Sequence, residues 1–361
     1  MLIFNLEKLM KKVANRFLVL FAAFMLFSSV VEARTITDMA GRTVTIPDKI
    51  NKVYVNHQPG VVLMHTIDLD LLCAYAFDLL PGEKRIIPEK YHSIPVLGTV
   101  GGNNSANKEV VMAAKPDVAI MFTYVEDMTI NLADDFHKST GIPVVMAEMT
   151  VKKIPEVYRF VGKILDREER CNKLADYCEK ILKQSERICK ELEVSQKIKV
   201  YYAQGPKGLI SSAAGTSHGE IIDMAGGFNV VERTSAADGR ISVNMEQVMI
   251  WNPDVILLAD RIHSASPTEK DPNKLLQSLH DGWKNIKACK TGRVYFVPCI
   301  PYNVLDMPPS VNRIIGILWL GDILYPGKFT TDIRKEFSQF YELFYNYKVT
   351  DKELDEFLFI K

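Results

Sequence analysis

The pattern of apolar and polar positions in this chain occurs twice. Residues 107–122 read NKEVVMAAKPDVAIMF and residues 244–259 read NMEQVMIWNPDVILLA, in register and without a gap. In each copy an Asn predicts a capped amphipathic helix, the proline ends that helix, and the following apolar run predicts a buried parallel strand. Such self-similarity indicates two copies of one structural unit. We therefore expect two similar lobes with a ligand cleft between them.

The remaining periodicity predicts further strands and helices around these copies. Alternation around Gly41 indicates a two-stranded hairpin over residues 34–47. Buried strands are predicted at residues 53–55, 95–97, 143–146 and 199–203, and helices at residues 61–77, 311–325, 332–345 and 351–359. The apolar stretch 311–325 is short and carries Arg313 and Asp322, so it predicts a core helix rather than a membrane span.

A long helical stretch separates the two copies. Residues 155–192 are helical in periodicity almost throughout, and the charged part at residues 167–192 predicts one helix of about 40 Å. Such a helix would be a rigid strut rather than a flexible linker. The predicted fold is α/β, with two similar lobes containing parallel-type sheets, joined by one long helix. The predicted domains are an N-terminal lobe at residues 34–155, the helical segment at 156–195, and a C-terminal lobe with terminal helices at 196–361.

The N-terminus has the pattern of a targeting segment. Lys8, Lys11, Lys12 and Arg16 precede an apolar run at residues 17–31, and small residues stand before Arg34. The apolar run is too short for a comfortable membrane span, so residues 1–33 are predicted to be a secretory signal peptide. We therefore expect a mature protein that is soluble and exported.

Composition narrows the function further. The 44 basic and 44 acidic residues balance, so the chain has no excess of positive charge of the kind that binds nucleic acid. Cys171, Cys178 and Cys189 share one predicted helix face, where small apolar residues are expected to be buried. Cys289 and Cys299 flank a predicted strand and are the best candidates for a disulfide in an exported protein. The six cysteines form no CxxC pair, so a zinc or redox motif is not indicated.

One motif suggests catalysis. Residues 215–219 match the GxSxG nucleophile elbow, and Asp260 with His263 or His280 follows Ser217 in the order of a hydrolase triad. However, the preceding segment is too polar for a central buried strand, which favours a loop that caps a helix from Glu220. An exported serine hydrolase using Ser217 is therefore an alternative of a different class.

Residues that follow predicted strands are the candidates for ligand binding, because α/β folds bind ligands at the carboxyl ends of strands. His57 follows the first core strand directly and is a candidate metal ligand, although a solvent-exposed loop histidine is an equal alternative. Tyr and Arg at such positions suit a large anionic or aromatic ligand. The candidate ligand-binding residues are His57, Gln58, Gly101, Gly102, Tyr124, Arg240, Asp260, Arg261, Tyr302 and Asn303.

Taken together, these features resemble the periplasmic binding proteins of the iron–siderophore, haem and vitamin B12 import family. The matching parts are the signal peptide, the opening TDMAGRTVTIP, the paired E-x-x-x-x-x-x-P-D-V segments, AGGFN and the strut, which together span essentially the whole mature chain. The segment VNRIIGILWLGDILYPGKF resembles a subgroup whose ligand is an unspecified iron or metal complex. The resemblance implies capture of an iron(III)-siderophore, haem or corrinoid-type chelate, without catalysis or a covalent cofactor.

The resemblance also implies a partner, the dimeric ABC permease of the inner membrane. The protein itself is expected to be a monomer when it is free. In family members one Glu on each lobe docks onto permease arginines, and Glu109 and Glu246 occupy the matching positions. Each Glu also lies where it would stabilise a helix dipole, and both roles are compatible. The main variant within this class is a nickel or other transition-metal complex held by His57.

Overall fold

The computed structural model describes residues 32–102, 104–232, 239–259 and 269–359. Most of the predicted signal peptide lies outside these ranges, as do Asp260, Arg261 and His263. The strands are β1 Ala33–Thr37, β2 Thr43–Pro47, β3 Val53–Val55, β4 Val118–Thr123, β5 Val144–Glu148, β6 Lys199–Gln204, β7 Ile210–Ser212, β8 Phe228–Asn229, β9 Arg240–Ser242, β10 Val255–Ala259 and β11 Val294–Phe296. The helices are α1 Gln58–Ile67, α2 Pro81–Ile86, α3 Lys108–Ala114, α4 Asp127–Thr140, α5 Ile154–Ile164, α6 Glu168–Glu191, α7 Glu220–Met224, α8 Met245–Trp251, α9 Pro272–Leu279, α10 Lys287–Lys290, α11 Asn312–Leu324, α12 Ile333–Tyr345 and α13 Asp351–Phe357.

The N-terminal lobe is built on three parallel strands in the order β3-β4-β5, beside the antiparallel β1–β2 hairpin. The helix predicted at residues 61–77 was wrong at both ends, because α1 begins at Gln58 and stops at Ile67. The Asp68 side chain accepts from Asp70 N and caps a short 3₁₀ turn there. The chain then returns to the sheet through bridges Val53–Leu72 and Tyr75–Val96.

The C-terminal sheet is mixed. Its path is β11-β10-β6-β7-β9, with β8 beside β6. Strands β6, β10 and β11 are parallel, as predicted, whereas β7 runs antiparallel to both of its neighbours, β6 and β9. The predicted α/β class with two lobes is therefore confirmed, and the antiparallel edge is the feature that the apolar pattern did not indicate.

The two helices of the repeated segment have matching ends. The Asn107 side chain accepts from Glu109 N and the Asn244 side chain accepts from Gln247 N, both at 2.8 Å. Each helix ends on a residue in the left-handed region, Lys115 at φ 52° and Asn252 at φ 45°. The asparagine caps predicted from the sequence are therefore present in both lobes.

The proline–aspartate pair after each helix fastens it to a neighbouring strand. Asp117 Oδ2 accepts from Lys52 N at 2.9 Å, and Asp254 Oδ2 accepts from Lys199 N at 3.0 Å. The backbone nitrogens of both aspartates donate to the carbonyls of the same two lysines at 2.9 Å. These two aspartate latches hold the entry to β3 and β6 in the same way, which explains why the Asp recurs.

Helix α6 lies between the lobes and buries one face. Its 24 residues make a rod of about 36 Å, with Cys171, Leu174 and Cys178 fully buried. It packs along α5 and also contacts α7 and α11. The predicted strut is confirmed, and so is the prediction that α11 is a core helix, since it is buried along almost its whole length. No helix among the described residues is both long and apolar enough to cross a membrane.

One large apolar core extends across both lobes. It takes alternate residues from each sheet, such as Val55 and Tyr202, together with α1, α6, α11 and α12. Smaller cores around Met121 and Trp283 cover the opposite faces of the N-terminal and C-terminal sheets. Because the central core is shared, separating the lobes would expose apolar surface, which opposes a large hinge motion.

Cys289 and Cys299, the candidate disulfide pair, are not bonded to each other. All six cysteines lie among the described residues and are free thiols. Cys289 belongs to the core around Trp283, whereas Cys299 packs against the shared core. The two side chains therefore point to different sides of the C-terminal sheet, which flanking the same strand did not reveal.

Candidate functional site

Asn56, which directly follows β3, connects the strand ends of the N-terminal lobe through hydrogen bonds. Its side-chain oxygen accepts from Phe122 N at 3.1 Å, and its carbonyl accepts from Val100 N at 2.8 Å. The loop after Val100 needs Gly101 and Gly102, because both have positive φ, at 80° and 77°. The loop and the end of β4 therefore lie beside His57, as the strand-end rule predicted.

His57 stands at the N-cap of α1, but its side chain makes no cap hydrogen bond. Its Nδ1 atom is buried and has no hydrogen-bond partner among the residues that the structure describes. Burial lowers the pKa of His57 to about 4. The imidazole is therefore neutral near pH 7 and has a free nitrogen, which is the form that binds metal ions.

Gln58 is anchored in the protein. Its Nε2 donates to Glu83 Oε1 at 2.9 Å, while its Oε1 is buried without a partner in the described ranges. Glu83 also accepts from Leu80 N at 2.7 Å. Burial raises the pKa of Glu83 to about 7. Only the Gln58 carbonyl oxygen is therefore unsatisfied at this position.

Arg313 joins the lobes beside Tyr124. Its guanidinium is fully buried and donates to Met149 O at 2.8 Å in the N-terminal lobe and to Glu220 Oε1 at 2.6 Å in the C-terminal lobe. It also donates to the carbonyls of Ser217 and Ser310, each at 3.2 Å. Burial raises the pKa of Tyr124, and the nearby Arg313 opposes that shift. Tyr124 therefore lies where the two lobes meet.

The C-terminal lobe contributes a polar face made by strand alternation. Tyr202 and Gln204 are two apart on β6, and Gln204 Nε2 donates to Ser212 Oγ on β7 at 3.0 Å. Ser212 is directly opposite Arg240 on β9. Since opposed residues of an antiparallel pair point the same way, these four side chains share one face at the end of β6.

Asp306 and His218 cover this polar face. The Asp306 carboxylate is fully buried, and its Oδ1 contacts His218 Nδ1. Its Oδ2, Gln204 Oε1 and the Tyr202 hydroxyl have no hydrogen bond of normal geometry to any described residue. Burial first, and Asp306 second, raise the pKa of Tyr202 well above its usual value, so the hydroxyl stays neutral. The C-terminal lobe thus presents buried polar atoms that have no hydrogen-bond partner in the part of the chain that the structure describes.

Sequence reasoning named Arg240 but missed Tyr202, Gln204, His218, Asp306 and Arg313. The strand-end rule already contained one signal, because Gln204 is the last residue of β6. His218 was considered only as part of a helix-capping loop. Asp306 and Arg313 had no signal, since their roles come from contacts with residues 88 and 164 positions away.

Tyr302 and Asn303 make contacts within the protein rather than standing open to a cleft. Tyr302 is 2% exposed, and its hydroxyl lies 3.4 Å from His65 Nδ1 in the shared core. The prediction that Tyr302 faces the cleft was therefore wrong, because the chain turns inward after β11. Asn303 Oδ1 accepts from Leu305 N and Asp306 N, at 2.8 and 3.1 Å. Asn303 thus shapes the loop that carries Asp306.

The surroundings of Ser217 differ from those of a nucleophile elbow. β7 before it is an antiparallel strand of three residues, and α7 after it has five residues. His280 is used elsewhere, since its Nδ1 accepts from Gly282 N at 3.0 Å. The favoured interpretation, a loop that leads into a short helix, is what the structure has.

A groove of about 600 Å³ lies away from the strand ends, between α5, α6 and α7. Its charged walls are already neutralised, for example by Lys183–Glu179 and Lys190–Glu186 ion pairs. We therefore base the site on the polar faces at the strand ends. Within the described ranges, no three His, Cys, Asp or Glu side chains gather as a metal site.

This two-lobed fold, with polar groups at the strand ends where the lobes meet, is that of a solute-binding protein. The family model described as "Periplasmic binding protein" matches residues 85–300. The chain belongs to that family, as the sequence resemblance predicted.

Three relatives show how far the similarity extends. The molybdate-binding protein MolA of Haemophilus influenzae is 28% identical, over 88% of this chain and 92% of its own. The high-affinity heme uptake system protein IsdE of Staphylococcus aureus is 24% identical, over 69% and 80%. The solved structure of an ABC transporter solute binding protein from Sulfurospirillum deleyianum is 27% identical, with a TM-score of 0.79 over 90% of this chain and 98% of its own.

Proposed function

We propose that this protein captures a metal chelate in the periplasm and delivers it to an ABC permease dimer of the inner membrane. The ligand class is an iron(III)-siderophore, haem or a corrinoid-type complex. The protein would act as a soluble monomer after removal of residues 1–33, without catalysis. One observation carries the proposal, the buried polar atoms at the end of β6 that find no hydrogen-bond partner among the described residues. Buried polar groups are normally hydrogen-bonded, so these groups favour a polar ligand.

His57 favours a metal-containing ligand within this class. Its neutral imidazole offers one nitrogen, Tyr124 offers a hydroxyl without a partner among the described residues, and Arg240 on β9 carries a positive charge that suits the anionic groups of a chelator. One imidazole does not fill the coordination sphere of iron or nickel, so the chelator would supply the other ligands. A nickel or other transition-metal complex held by His57 is the variant of this proposal.

Titration of the mature protein with haem, ferric siderophores, cobalamin and nickel complexes tests the ligand class, with intrinsic tryptophan fluorescence as the readout. His57→Ala is expected to weaken binding of a complex that uses the imidazole by about tenfold or more. The matched control is His137→Ala, because His137 Nδ1 already contacts Ile142 O. No response to any metal complex would contradict the proposal.

Molybdate is a second candidate ligand, because of the similarity to MolA. Arg240 and His218 would donate to such an oxyanion, whereas the unpartnered Asp306 Oδ2 would repel it. Competition in the same titration separates the candidates. If Arg240→Ala abolishes tight molybdate binding and His57→Ala leaves it unchanged, the ligand is an oxyanion and not a metal chelate.

Docking on the permease is assigned to Glu109 and Glu246, which are exposed in the first turns of α3 and α8. The two charges recur at matching positions of the two lobes, which suits a partner made of two equal halves. Glu109→Lys with Glu246→Lys is expected to stop delivery and leave ligand affinity unchanged. Loss of ligand affinity in this variant would show instead that the two residues belong to the cleft.

The hydrolase alternative has a direct test. A fluorophosphonate probe that labels the wild type but not Ser217→Ala would support catalysis. We expect no labelling, because the antiparallel β7 does not form the strand-to-helix elbow that activates such a serine.

A further inference from the structure

The two helices of the repeated segment are far more exposed than their apolar content requires. Helix α3 buries only Val111, and α8 buries only Met245 and Val248. Other large apolar side chains on them remain at the surface. Met112 is 44% exposed and Met249 is 42% exposed, and these two methionines occupy matching positions of the repeat. Exposed apolar groups that recur in this way indicate an interaction surface rather than scatter.

Each of these methionines lies three residues after a docking glutamate. Residues three apart on a helix are neighbours on one face, so Met112 lies beside Glu109 and Met249 lies beside Glu246. We call these two pairs the Glu–Met patches. Two other exposed aliphatic residues lie on these helices, Val110 at 46% and Ile250 at 75% exposure, but they do not occupy matching positions of the repeat.

The glutamates of the patches are available for an external cation. No described residue forms an ion pair with Glu109 or Glu246. Carboxylates are acceptors that match arginine, while the unbranched, polarisable thioether of methionine adapts to an apolar pocket. Each patch therefore combines a directional charge with an apolar contact.

The protein holds both patches rigidly. The asparagine caps fix the first turn of each helix, and the aspartate latches fix the chain just beyond it. Rigid presentation lowers the entropy lost on binding, which is an advantage for a docking surface.

We propose that the Glu–Met patches form one bipartite docking surface, in which the methionines supply much of the affinity and the glutamates the orientation. The partner is a dimeric membrane protein that presents, on each half, a cationic side chain beside an apolar socket. This inference rests on the proposed function, since it describes how the same permease would be bound. It adds an apolar contact to a contact assigned until now to charge alone.

Binding of the mature protein to right-side-out membrane vesicles tests the inference. The vesicles come from native cells and from the same cells lacking the permease gene, so that permease-specific binding is measured. Met112→Ser with Met249→Ser is expected to weaken this binding by about tenfold, which is about 1.4 kcal/mol. The circular dichroism spectrum should be unchanged, because both side chains are exposed.

Val194→Ser is the matched control, because Val194 is 80% exposed but precedes β6 at the amino end of the strand. Salt separates the two parts of the surface. Higher ionic strength should reduce the effect of Glu109→Lys with Glu246→Lys, while the methionine effect should persist.

The outcomes separate this inference from the proposed function. If the glutamate variant loses binding and the methionine variant binds like the wild type, the apolar contact is wrong and permease docking stands. If the wild type binds equally to vesicles with and without the permease, the proposed function fails, and the inference fails with it.

Discussion

The two lobes have the same supporting structure around their repeated helices, but their strand ends differ where the lobes meet. Their repeated helices share asparagine caps, a buried valine, a left-handed end and an aspartate latch. By contrast, the N-terminal strand ends offer His57 and Tyr124, whereas the C-terminal ones offer Arg240, His218 and buried polar atoms. The comparison teaches that the repeat preserves supporting structure and the outward surface, and it supports our proposal that ligand specificity comes from the unmatched strand ends.

Arg313 bridges the two lobes through a fully buried guanidinium, so its loss should have the largest effect. Arg313→Met leaves Glu220 in its half-buried position without a partner, and removes the link to Met149. We expect a loss of about 3 kcal/mol in the free energy of unfolding. Urea denaturation measures it.

Two variants serve as controls for the Arg313 prediction. Arg159→Met removes exposed ion pairs with Asp176 and Glu179 and should cost less than about 1 kcal/mol. Adding Glu220→Gln to Arg313→Met should restore part of the loss, because the unpaired charge is then gone. Equal stabilities of Arg313→Met and the wild type would mean that the lobes are held by the shared core alone.

Substitution of the two latch aspartates tests whether the supporting structures of the two lobes contribute equally to stability. Asp117→Ala and Asp254→Ala should each lower the free energy of unfolding by about 0.5–1.5 kcal/mol, because exposed backbone donors lose a hydrogen-bond acceptor. Asp117 should cost more, since it accepts from two backbone donors, Asn51 N and Lys52 N, whereas Asp254 accepts from one backbone donor, Lys199 N, and otherwise forms a partly exposed ion pair with Lys287. Thermal or urea unfolding ranks them, and the opposite ranking would contradict this account.

The pH dependence of stability should come partly from the N-terminal lobe. Burial lowers the pKa of His65 to about 3, so between about pH 4.5 and 6 the unfolded chain binds a proton that the folded chain does not. Stability therefore falls as pH falls. Glu83 acts oppositely, because burial raises its pKa to about 7 and the folded chain keeps its proton.

Two substitutions separate these opposing contributions. His65→Phe should weaken the acid-induced loss by about 1.4 kcal/mol per pH unit, and Glu83→Gln should strengthen it by a similar amount. Urea denaturation at several pH values measures both slopes. Slopes that match the wild type would contradict the assigned protonation states.

The smallest effect concerns the left-handed helix ends. Lys115→Gly should stabilise the protein by about 0.5–1 kcal/mol, since glycine adopts positive φ without strain. Asn252→Gly should gain less, because asparagine already tolerates this conformation. A larger gain at Asn252 than at Lys115 would argue against strain at these ends.

The sequence predicted the repeated helices, their caps, the strut and α11 because these depend on local periodicity and capping. It failed where distant contacts decide. The helix predicted to run to residue 77 stops at Ile67, since the chain pairs with β3 through Leu72. The same limit applies to the site, where the strand-end rule pointed to His57 and the position before the second repeat copy pointed to Arg240, but neither could show that Asp306 folds back onto His218.

The core shared by the lobes has a consequence for how loaded and empty molecules compete at the membrane. Because the lobes are tied by that core and by Arg313, we expect the empty receptor to display nearly the same docking surface as the loaded one. Empty molecules would then compete with loaded ones for the transporter. Uptake would depend on the loaded fraction of the receptor pool, and excess receptor without ligand would slow import.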